Sequence, residues 1–404
     1  MIGAGMTERR TARSFAGPVG SAFAFVMTMG VVNLFADMTY EGGTALNGQF
    51  LASLGAGAAA VSIIAGVGEF LGYSLRSVSG YFADRTGRYW WFTFAGYAIN
   101  LLAVPAMALA GSWPVAAAFM LAERIGRAVR KPTVEAMLSY STGKHGKGWV
   151  YAVNTAMDET GAALGPLLMA AALSRGASFK SGYAMLLVTA ALALAALVVA
   201  RVLFPVPANL ERGGPKTATA HGFTRAYRLY MIGGSIFALG VGSFELVAFH
   251  LTTTGVVTGP WVPVFLSIAT VAGVVASLIL GRLYDRLGIG AVVGAIAFAA
   301  GYPFLVFLGG FRAVLAGLVM WGVAYATQDT LLKVLIASVL PEGRRTFAFG
   351  VFYLGYGAGW LAGSVAAGFL YERSRPALAA FIAAALLASI PLFVSGARAA
   401  RRVV

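Results

Sequence analysis

The chain has 404 residues, of which 59% are hydrophobic and only 11% are charged. Because a soluble domain carries about 25% charged residues, this composition excludes a water-soluble protein and indicates a polytopic membrane protein. Cysteine is absent, which excludes disulfide scaffolds, thiolate metal sites, iron–sulfur clusters and cysteine nucleophiles. The net charge of +15 would favour nucleic-acid binding in a soluble protein, so the placement of the charges has to decide its meaning.

Twelve apolar stretches are long enough to cross a bilayer, which takes about 20 residues of helix. The first six predicted spans are residues 18–40, 52–78, 90–110, 114–137, 149–173 and 182–203. The last six are residues 227–251, 261–281, 290–309, 313–338, 347–370 and 377–397. Between the two sets lies a polar, proline-containing stretch that we interpret as a cytoplasmic linker. The predicted division is therefore an N-terminal six-helix bundle (1–203), a linker (204–226) and a C-terminal six-helix bundle (227–404).

The basic residues indicate the orientation of these spans. With a cytoplasmic N-terminus, the cytoplasmic segments hold nineteen Lys and Arg residues and the opposite loops hold five. This positive-inside bias explains the net charge without nucleic acid and predicts that both termini are cytoplasmic, with the chain in the cytoplasmic (inner) membrane. Arg9 and Arg10 precede an apolar run as in a secretory or twin-arginine signal, but no small-x-small cleavage site follows, so we expect the first helix to stay uncleaved.

A short motif occurs twice along the chain. Gly80-Tyr-Phe-Ala-Asp84-Arg-Thr-Gly-Arg follows span 2, and Gly281-Arg-Leu-Tyr-Asp285-Arg-Leu-Gly follows span 8. Both the first glycines and the aspartates are 201 residues apart, which is within one residue of half of the 404-residue chain. This spacing indicates a tandem duplication, in which two halves related by an axis along the membrane normal enclose a cavity. Such an architecture favours transport.

The first copy of the motif resembles the loop signature of the major facilitator superfamily: Gly, three residues, Asp, Arg or Lys, any residue, Gly, Arg. The resemblance implies an all-α membrane fold of twelve transmembrane helices in two pseudo-symmetric six-helix bundles. It also implies a cytoplasmic gate that is latched when the protein faces outward, formed by Gly80, Asp84, Arg85, Gly87, Arg88, Asp285 and Arg286. The alternative is that the arginines of this loop act only as topology determinants.

Span 5 carries a second motif, with Gly161, Gly165 and Pro166. It is similar to the glycine-proline motif that, in this superfamily, is associated with antiporters exporting drugs and metabolites. Glycine and proline at these positions also allow close helix packing and a bend. A packing role without any bearing on the direction of transport therefore remains the alternative.

Ionisable residues inside the spans are the functional candidates, since each is costly to insert unless it is paired or faces water. Asp37 and Glu41 share one face of span 1 near its predicted outer end, where Glu41 would be a solvated carboxylate if it lies in the loop. Two neighbouring carboxylates in a poorly solvated cleft raise one another's proton affinity, as a proton carrier requires. The candidates for proton coupling or substrate binding are Asp37, Glu41, Glu69, Arg76, Glu245, His250, Asp329 and Lys333.

Two groups of these charges are spaced for pairing along a helix. Asp329 and Lys333 are four residues apart and can neutralise each other, so a salt bridge within span 10 is the alternative to a coupling role. A denser group on spans 4 and 5 favours an interhelical charge network within the first half, with substrate contact as its alternative. This group consists of Glu123, Arg124, Arg127, Arg130, Glu135, Asp158 and Glu159.

The sequence contains neither a phosphate-binding loop nor a nucleophile elbow nor clustered ligands with metal spacing. We therefore expect a transporter that is not an enzyme, uses no cofactor or metal and works as a monomer in the lipid bilayer, driven by protons or alternatively by sodium. The favoured function is the alternating-access export of small organic compounds in exchange for protons. The alternative is proton-coupled import of a small organic anion, motivated by Arg76, Arg124, Arg127 and Lys333.

Overall fold

A computed structural model describes residues 18–139, 147–205, 223–339 and 345–401. Within these ranges every regular element is a helix. The core of the predicted linker, residues 206–222, lies outside the described residues, as do Arg9 and Arg10.

Six helices form the first half of the chain, here called the N-bundle. They are α1 (Pro18–Ser53), α2 (Ala58–Thr86), α3 (Tyr89–Ala106, continued by a 3₁₀ turn, Met107–Leu109), α4 (Trp113–Ser139), α5 (Lys147–Ser174) and α6 (Phe179–Leu203). Each overlaps a predicted span, although α1 ends 13 residues later than predicted and α2 begins at Ala58 and ends at Thr86 instead of spanning 52–78.

The second half, here called the C-bundle, also follows the predicted spans, but three of its helices are interrupted. They are α7a (Arg225–Val241) and α7b (Phe244–Thr254), α8 (Trp261–Leu287), α9 (Ile289–Ala299 and Tyr302–Leu308), α10 (Phe311–Ala326, a π-turn at Thr327–Leu332, and Lys333–Ser338), α11 (Arg345–Arg373) and α12 (Arg375–Arg401). The break in α7 falls at Gly242, whose φ of +69° suits glycine. The twelve-helix fold is confirmed.

Eight of the described helices are long and apolar enough to cross a membrane. Helix α4 is not in this group, because four charged residues, from Glu123 to Arg130, occupy its middle. A helix of this kind is tolerated in a bilayer only where its charges face the protein interior. The site described below meets that condition.

The prediction for the end of span 1 was wrong. Helix α1 continues to Ser53, so Glu41 is not in a loop but in the middle of a helix, where it is half-buried. The polar residues after it are buried by neighbouring helices: Asn47 is 5% exposed and accepts a hydrogen bond from the hydroxyl of Tyr183 at 2.8 Å. The glycines and polar side chains of this segment are typical of a loop, but packing against neighbouring helices keeps it helical.

Helices α1 and α5 pack with their backbones in close contact. A Cβ atom at Gly161 would overlap the carbonyl oxygen of Leu34, and one at Gly165 would overlap that of Met38. The glycines of the span-5 motif thus allow an approach that any side chain would prevent.

Three helix pairs form most of the boundary between the two bundles: α1 with α7b, α2 with α11, and α5 with α8. Smaller contacts join α2 with α7b and α1 with α8. Twelve crossings return the chain to its starting side, so Pro18 and Arg401 lie at one face, here called the terminal face. Towards the other face, here called the opposite face, the bundles are sealed. There a Cβ atom at Gly48 of α1 would overlap the carbonyl oxygen of Glu245, and Ser62 Oγ donates to Ser364 O at 2.6 Å.

The half towards the terminal face is instead lined by charged, solvent-exposed side chains. Asp329 and Lys333 of α10 expose 57% and 47% of their side chains. Lys131 on α4 is also exposed and interacts electrostatically with both of them across the boundary between the bundles. Water therefore reaches a cleft between the two bundles, and this cleft opens to the terminal face.

Candidate substrate and coupling site

The centre of the molecule contains a cluster of three carboxylates around one guanidinium, that of Arg124. Arg124 Nη1 lies 3.0 Å from Glu69 Oε1, Nε lies 3.3 Å from Glu123 Oε2, and Nη2 lies 3.2 Å from Glu245 Oε1. Arg124 is 8% exposed and Glu245 is 2% exposed. Since Arg124 belongs to α4 and Glu245 to α7b, the last of these contacts is an ion pair between the two bundles.

Local backbone features place these side chains. The break at Gly242 restarts α7 just before Glu245, which lies in the first turn of α7b. A carboxylate is favoured there by the dipole of the helix N-terminus. On the other side, a Cβ atom at Gly68 would lie 3.0 Å from Arg124 Cγ, so a glycine on α2 makes room for the arginine stem.

Arg127, one turn further along α4, completes the cluster. It lies 3.5 Å from Glu69 and 3.7 Å from Glu123, and its guanidinium stacks over the ring of Tyr40 at 4.8 Å. Asn100 donates from Nδ2 to Glu123 Oε1 at 2.8 Å. We call Glu69, Glu123, Arg124, Arg127 and Glu245 the central cluster.

Carboxylates outnumber arginines in and around the central cluster. Three carboxylates share two guanidinium groups, and a fourth carboxylate, Glu41, interacts electrostatically with Arg124. Among the residues that the structure describes, Glu41 has no basic partner within 4 Å. Excess negative charge at this depth is costly unless a proton or another cation neutralises it.

A second buried polar group lies within the N-bundle, nearer the terminal face. Arg130 Nη2 lies 3.8 Å from Asp37 Oδ1, and the guanidinium stacks over the Tyr97 ring at 4.4 Å. The Tyr97 hydroxyl donates to Asn33, whose Nδ2 donates to Asn154 Oδ1 at 2.9 Å. All of these residues belong to α1, α3, α4 and α5, so this group fixes helices of one bundle to each other.

A hydrogen-bonded bridge crosses between the bundles beside the central cluster. Gln328 Nε2 donates to Tyr73 Oη on α2 at 2.8 Å, and Gln328 Oε1 accepts from Tyr356 Oη on α11 at 2.5 Å. Gln328 lies in the π-turn of α10, an irregularity that is often found at functional sites. Spacing along the sequence did not predict this bridge, although an amide in the middle of an apolar span was a signal for it.

Several predicted site residues lie apart from the central cluster. Asp329 and Lys333 pair with each other at 3.1 Å in the open cleft. His250 is buried near the opposite face, where its Nδ1 lies 2.9 Å from Tyr371 Oη. Arg76 does not pair with Glu69 but stacks over the Tyr73 ring at 4.9 Å.

The acidic members of the predicted charge network divide between two environments. In the described part of the chain, Glu135, Asp158 and Glu159 form no ion pair within 4 Å. Asp158 Oδ2 accepts from Asn154 Nδ2 at 3.2 Å, which attaches it to the polar group around Arg130. Glu135 is exposed towards the terminal face.

The loop motif after α2 lies at the terminal face. Asp84 Oδ1 accepts from Tyr89 Oη at 2.9 Å, and Arg85 Nη1 donates to Tyr81 Oη at 3.2 Å. Gly87 ends α2 with φ of +64°. These bonds all stay within the N-bundle, which accords with a cleft that is open at this face. Among the described residues, no group of three or more His, Asp or Glu side chains is arranged to hold a metal ion.

Two helical bundles around a charged cleft, joined by an ion pair at its closed end, are the architecture expected of a membrane transporter. The chain belongs to the Major Facilitator Superfamily, whose family model matches residues 15–332. It is a transporter and not an enzyme.

Relatives and solved structures agree with this assignment. The chain is 35% identical to an uncharacterized protein of Mycobacterium tuberculosis over 383 residues, which is 93% of this chain and 94% of the relative. It is 23% identical over 362 residues to an uncharacterized MFS-type transporter of Methanocaldococcus jannaschii, covering 86% of this chain and 89% of that one. The fold is similar to the crystal structure of the nucleoside transporter NupG, with a TM-score of 0.75 and 13% identity over 91% of this chain and all of that chain.

Proposed function

We propose that this protein is a proton-coupled secondary transporter that exports small organic compounds across the cytoplasmic membrane, with both termini in the cytoplasm. The observation that carries this proposal is the ion pair between Arg124 and Glu245, which joins the two bundles inside a cluster with more carboxylates than arginines. The excess carboxylate provides the proton site, and the pair connects its protonation state to the arrangement of the bundles.

The coupling follows from the charges. When the site is empty, ionised Glu245 attracts Arg124 and holds α7b against the N-bundle, which keeps the opposite face closed. A proton on Glu245 removes that attraction, and a cationic group of a substrate weakens it by competing with Arg124. Either ligand therefore permits the bundles to reorient, whereas the empty protein resists reorientation. A carrier with these properties exchanges proton for substrate.

The direction follows from the predicted orientation. If the positive-inside bias holds, the terminal face is cytoplasmic, and the open cleft receives a compound from the cytoplasm. Protons enter from the other side after the bundles reorient, because the higher proton concentration outside loads the vacated carboxylates there. The compound is then carried outward at the expense of the proton gradient.

Import of an organic anion has weaker support. That alternative needs basic groups free to bind a substrate, yet Arg124 and Arg127 contact carboxylates of the central cluster. Lys333 is paired with Asp329. Arg76 alone among the four basic residues that motivated the alternative has no ion pair in the described part of the chain.

The test is uptake of ethidium into proteoliposomes whose interior is more acidic than the medium. We expect the wild-type protein to accumulate ethidium. Nigericin, which collapses the pH gradient, should stop this accumulation. Glu245→Gln should lose gradient-driven uptake, because an amide cannot carry the proton. Glu135→Gln is the matched control, since Glu135 is exposed and outside the central cluster.

Two results would contradict the proposal. One is uptake by the wild-type protein that does not respond to the pH gradient. The other is gradient-driven uptake by Glu245→Gln at the rate of Glu135→Gln. If the gradient is reversed so that the medium is the more acidic side, uptake of benzoate above that of protein-free liposomes, without uptake of ethidium under either gradient, would instead support the organic-anion alternative.

A further inference from the structure

We infer that the transported compound is an organic cation with aromatic rings and a hydrogen-bond acceptor, bound between the carboxylates of Glu69 and Glu245 and a wall of aromatic rings. This inference rests on the proposed function and names its substrate class. The wall is formed by Tyr73, Trp321, Tyr325, Tyr356 and Trp360.

The rings form a continuous surface beside the carboxylates. Trp321 and Tyr325 have their centroids 4.4 Å apart, and the Trp360 ring lies 5.9 Å from Tyr325 and 6.4 Å from Tyr73. Tyr325 interacts electrostatically with both Glu69 and Glu245, which places the wall next to the central cluster. Ring faces carry partial negative charge and attract cations, most strongly where water is excluded.

Trp360 provides an independent sign of a ligand. Its side chain is 2% exposed, yet its Nε1–H has no hydrogen-bond acceptor among the described residues. Buried indole N–H groups normally find a partner, because leaving one unpaired costs stability. A carbonyl or ether oxygen of a bound compound would satisfy this donor, which is why the inferred substrate carries an acceptor.

The site is accessible although it lies at the middle of the helices. Side-chain exposure is 16% for Glu69 and 15% for Arg127, and Tyr325 is half-buried. These side chains are at the inner end of the cleft that opens to the terminal face. A compound entering the cleft reaches Glu69 and Tyr325 without unfolding any helix.

The charge balance selects a cation. Among the described residues, Glu41, Glu69, Glu123 and Glu245 face Arg124 and Arg127. Arg130 also interacts electrostatically with Glu123, but it is paired with Asp37. Carboxylates therefore remain in excess, so a positive group is attracted and an anion is repelled. An anion would also have to displace carboxylates from both arginines. A neutral compound would leave the excess negative charge uncompensated.

Binding at constant pH tests the substrate class without any gradient. Purified protein is titrated with tetraphenylphosphonium and tetraphenylborate, which have the same shape and opposite charges. We expect the phosphonium to bind at least about tenfold more tightly than the borate, and Glu245→Gln to remove most of this preference. Glu135→Gln, the exposed control, should retain it.

The hydrogen bond of Trp360 is tested with Trp360→Phe, which keeps a ring but removes the donor. Rhodamine 6G, a cation with an ester carbonyl, should bind about fivefold more weakly to this variant, whereas tetraphenylphosphonium, which lacks an acceptor, should be little affected. Trp91→Phe is the control, because Trp91 is 67% exposed on the surface.

The outcomes separate this inference from the proposed function. Equal binding of phosphonium and borate, or tighter binding of borate, would overturn the substrate class even if ethidium or another compound is carried by the proton gradient. If Trp360→Phe weakened the binding of rhodamine 6G and tetraphenylphosphonium equally, the inference that the substrate accepts a hydrogen bond from Trp360 would be overturned. Selective phosphonium binding without gradient-driven uptake would leave the substrate class standing and refute proton coupling.

Discussion

The two ends of the cleft differ in the types of residue at which the two bundles face each other. Towards the opposite face the bundles meet through glycines and short polar side chains, such as Gly48 against the backbone of Glu245 and Ser62 against Ser364. Towards the terminal face they present exposed charges, including Asp329 and Lys333. Backbone contact excludes water at short range and tolerates no added atom, whereas charged walls attract water and separate readily.

The difference indicates how a carrier of this kind closes and opens. The sealed end depends on shape, so it has a single well-defined closed arrangement and is sensitive to volume. The open end depends on electrostatics, so its position responds to ligands and salt. The absence of cysteine in the sequence allows both ends to be followed with engineered cysteine pairs carrying spin labels.

The largest expected effect comes from adding a bulky side chain where α1 and α7b are in close contact at the sealed end. Gly48→Leu should prevent closure of the opposite face and abolish most transport, because even a Cβ atom there would overlap backbone atoms of α7b. Spin labels at Leu54→Cys and Val257→Cys, in the loops of that face, should show a longer distance than in the parent protein. Gly294→Leu is the control, because a side chain at Gly294 would meet open space.

An unchanged label distance in Gly48→Leu would show that α1 and α7b have another way to pack. In that case the opposite face is not sealed by shape, and the contrast between the two ends would be lost.

The Gln328 bridge should give an intermediate effect. Gln328→Leu leaves the hydroxyls of Tyr73 and Tyr356 without their partner in the terminal-open state, which costs about 1 kcal/mol. We expect the population with a closed terminal face to rise about fivefold, measured with labels at Thr86→Cys and Ser338→Cys. Thr330→Val, in the same π-turn, is the control. A population equal to that of this control would mean that the bridge does not stabilise the open state.

The sequence was sufficient for the fold. Each apolar stretch of about 20 residues became a helix, because a bilayer leaves the backbone no other way to satisfy its hydrogen bonds. The prediction from the sequence was wrong for the end of α1, where Asn47 and its neighbours are polar but buried. Periodicity reports which residues share a helical face, but it does not report which other helix covers that face.

The same limit applied to the site. Spacing along α4 grouped Glu123, Arg124 and Arg127 as a network within the first half, and Glu245 was a separate candidate. Arg124 and Glu245 are 121 residues apart, so only the packing of α7b against the N-bundle could bring them together. Trp360 and Gln328 were missed because their importance lies in an unsatisfied donor and a bridge, which are properties of the packed molecule.

The smallest expected effect lies at the rim of the sealed end. Glu372 Oε1 of α11 accepts a hydrogen bond from Ala59 N, in the first turn of α2, at 3.0 Å across the two bundles. Glu372→Gln keeps an oxygen acceptor and removes only the attraction between the carboxylate and the helix dipole, which is weak for an exposed group. We expect the ratio of closed to open populations at the opposite face to fall by about twofold at low ionic strength, measured with the same labels at Leu54→Cys and Val257→Cys. At 1 M salt the Debye length is only about 3 Å, so the difference should disappear. A difference that persists in high salt would show that the rim, like the glycine contact beneath it, depends on shape and not on charge.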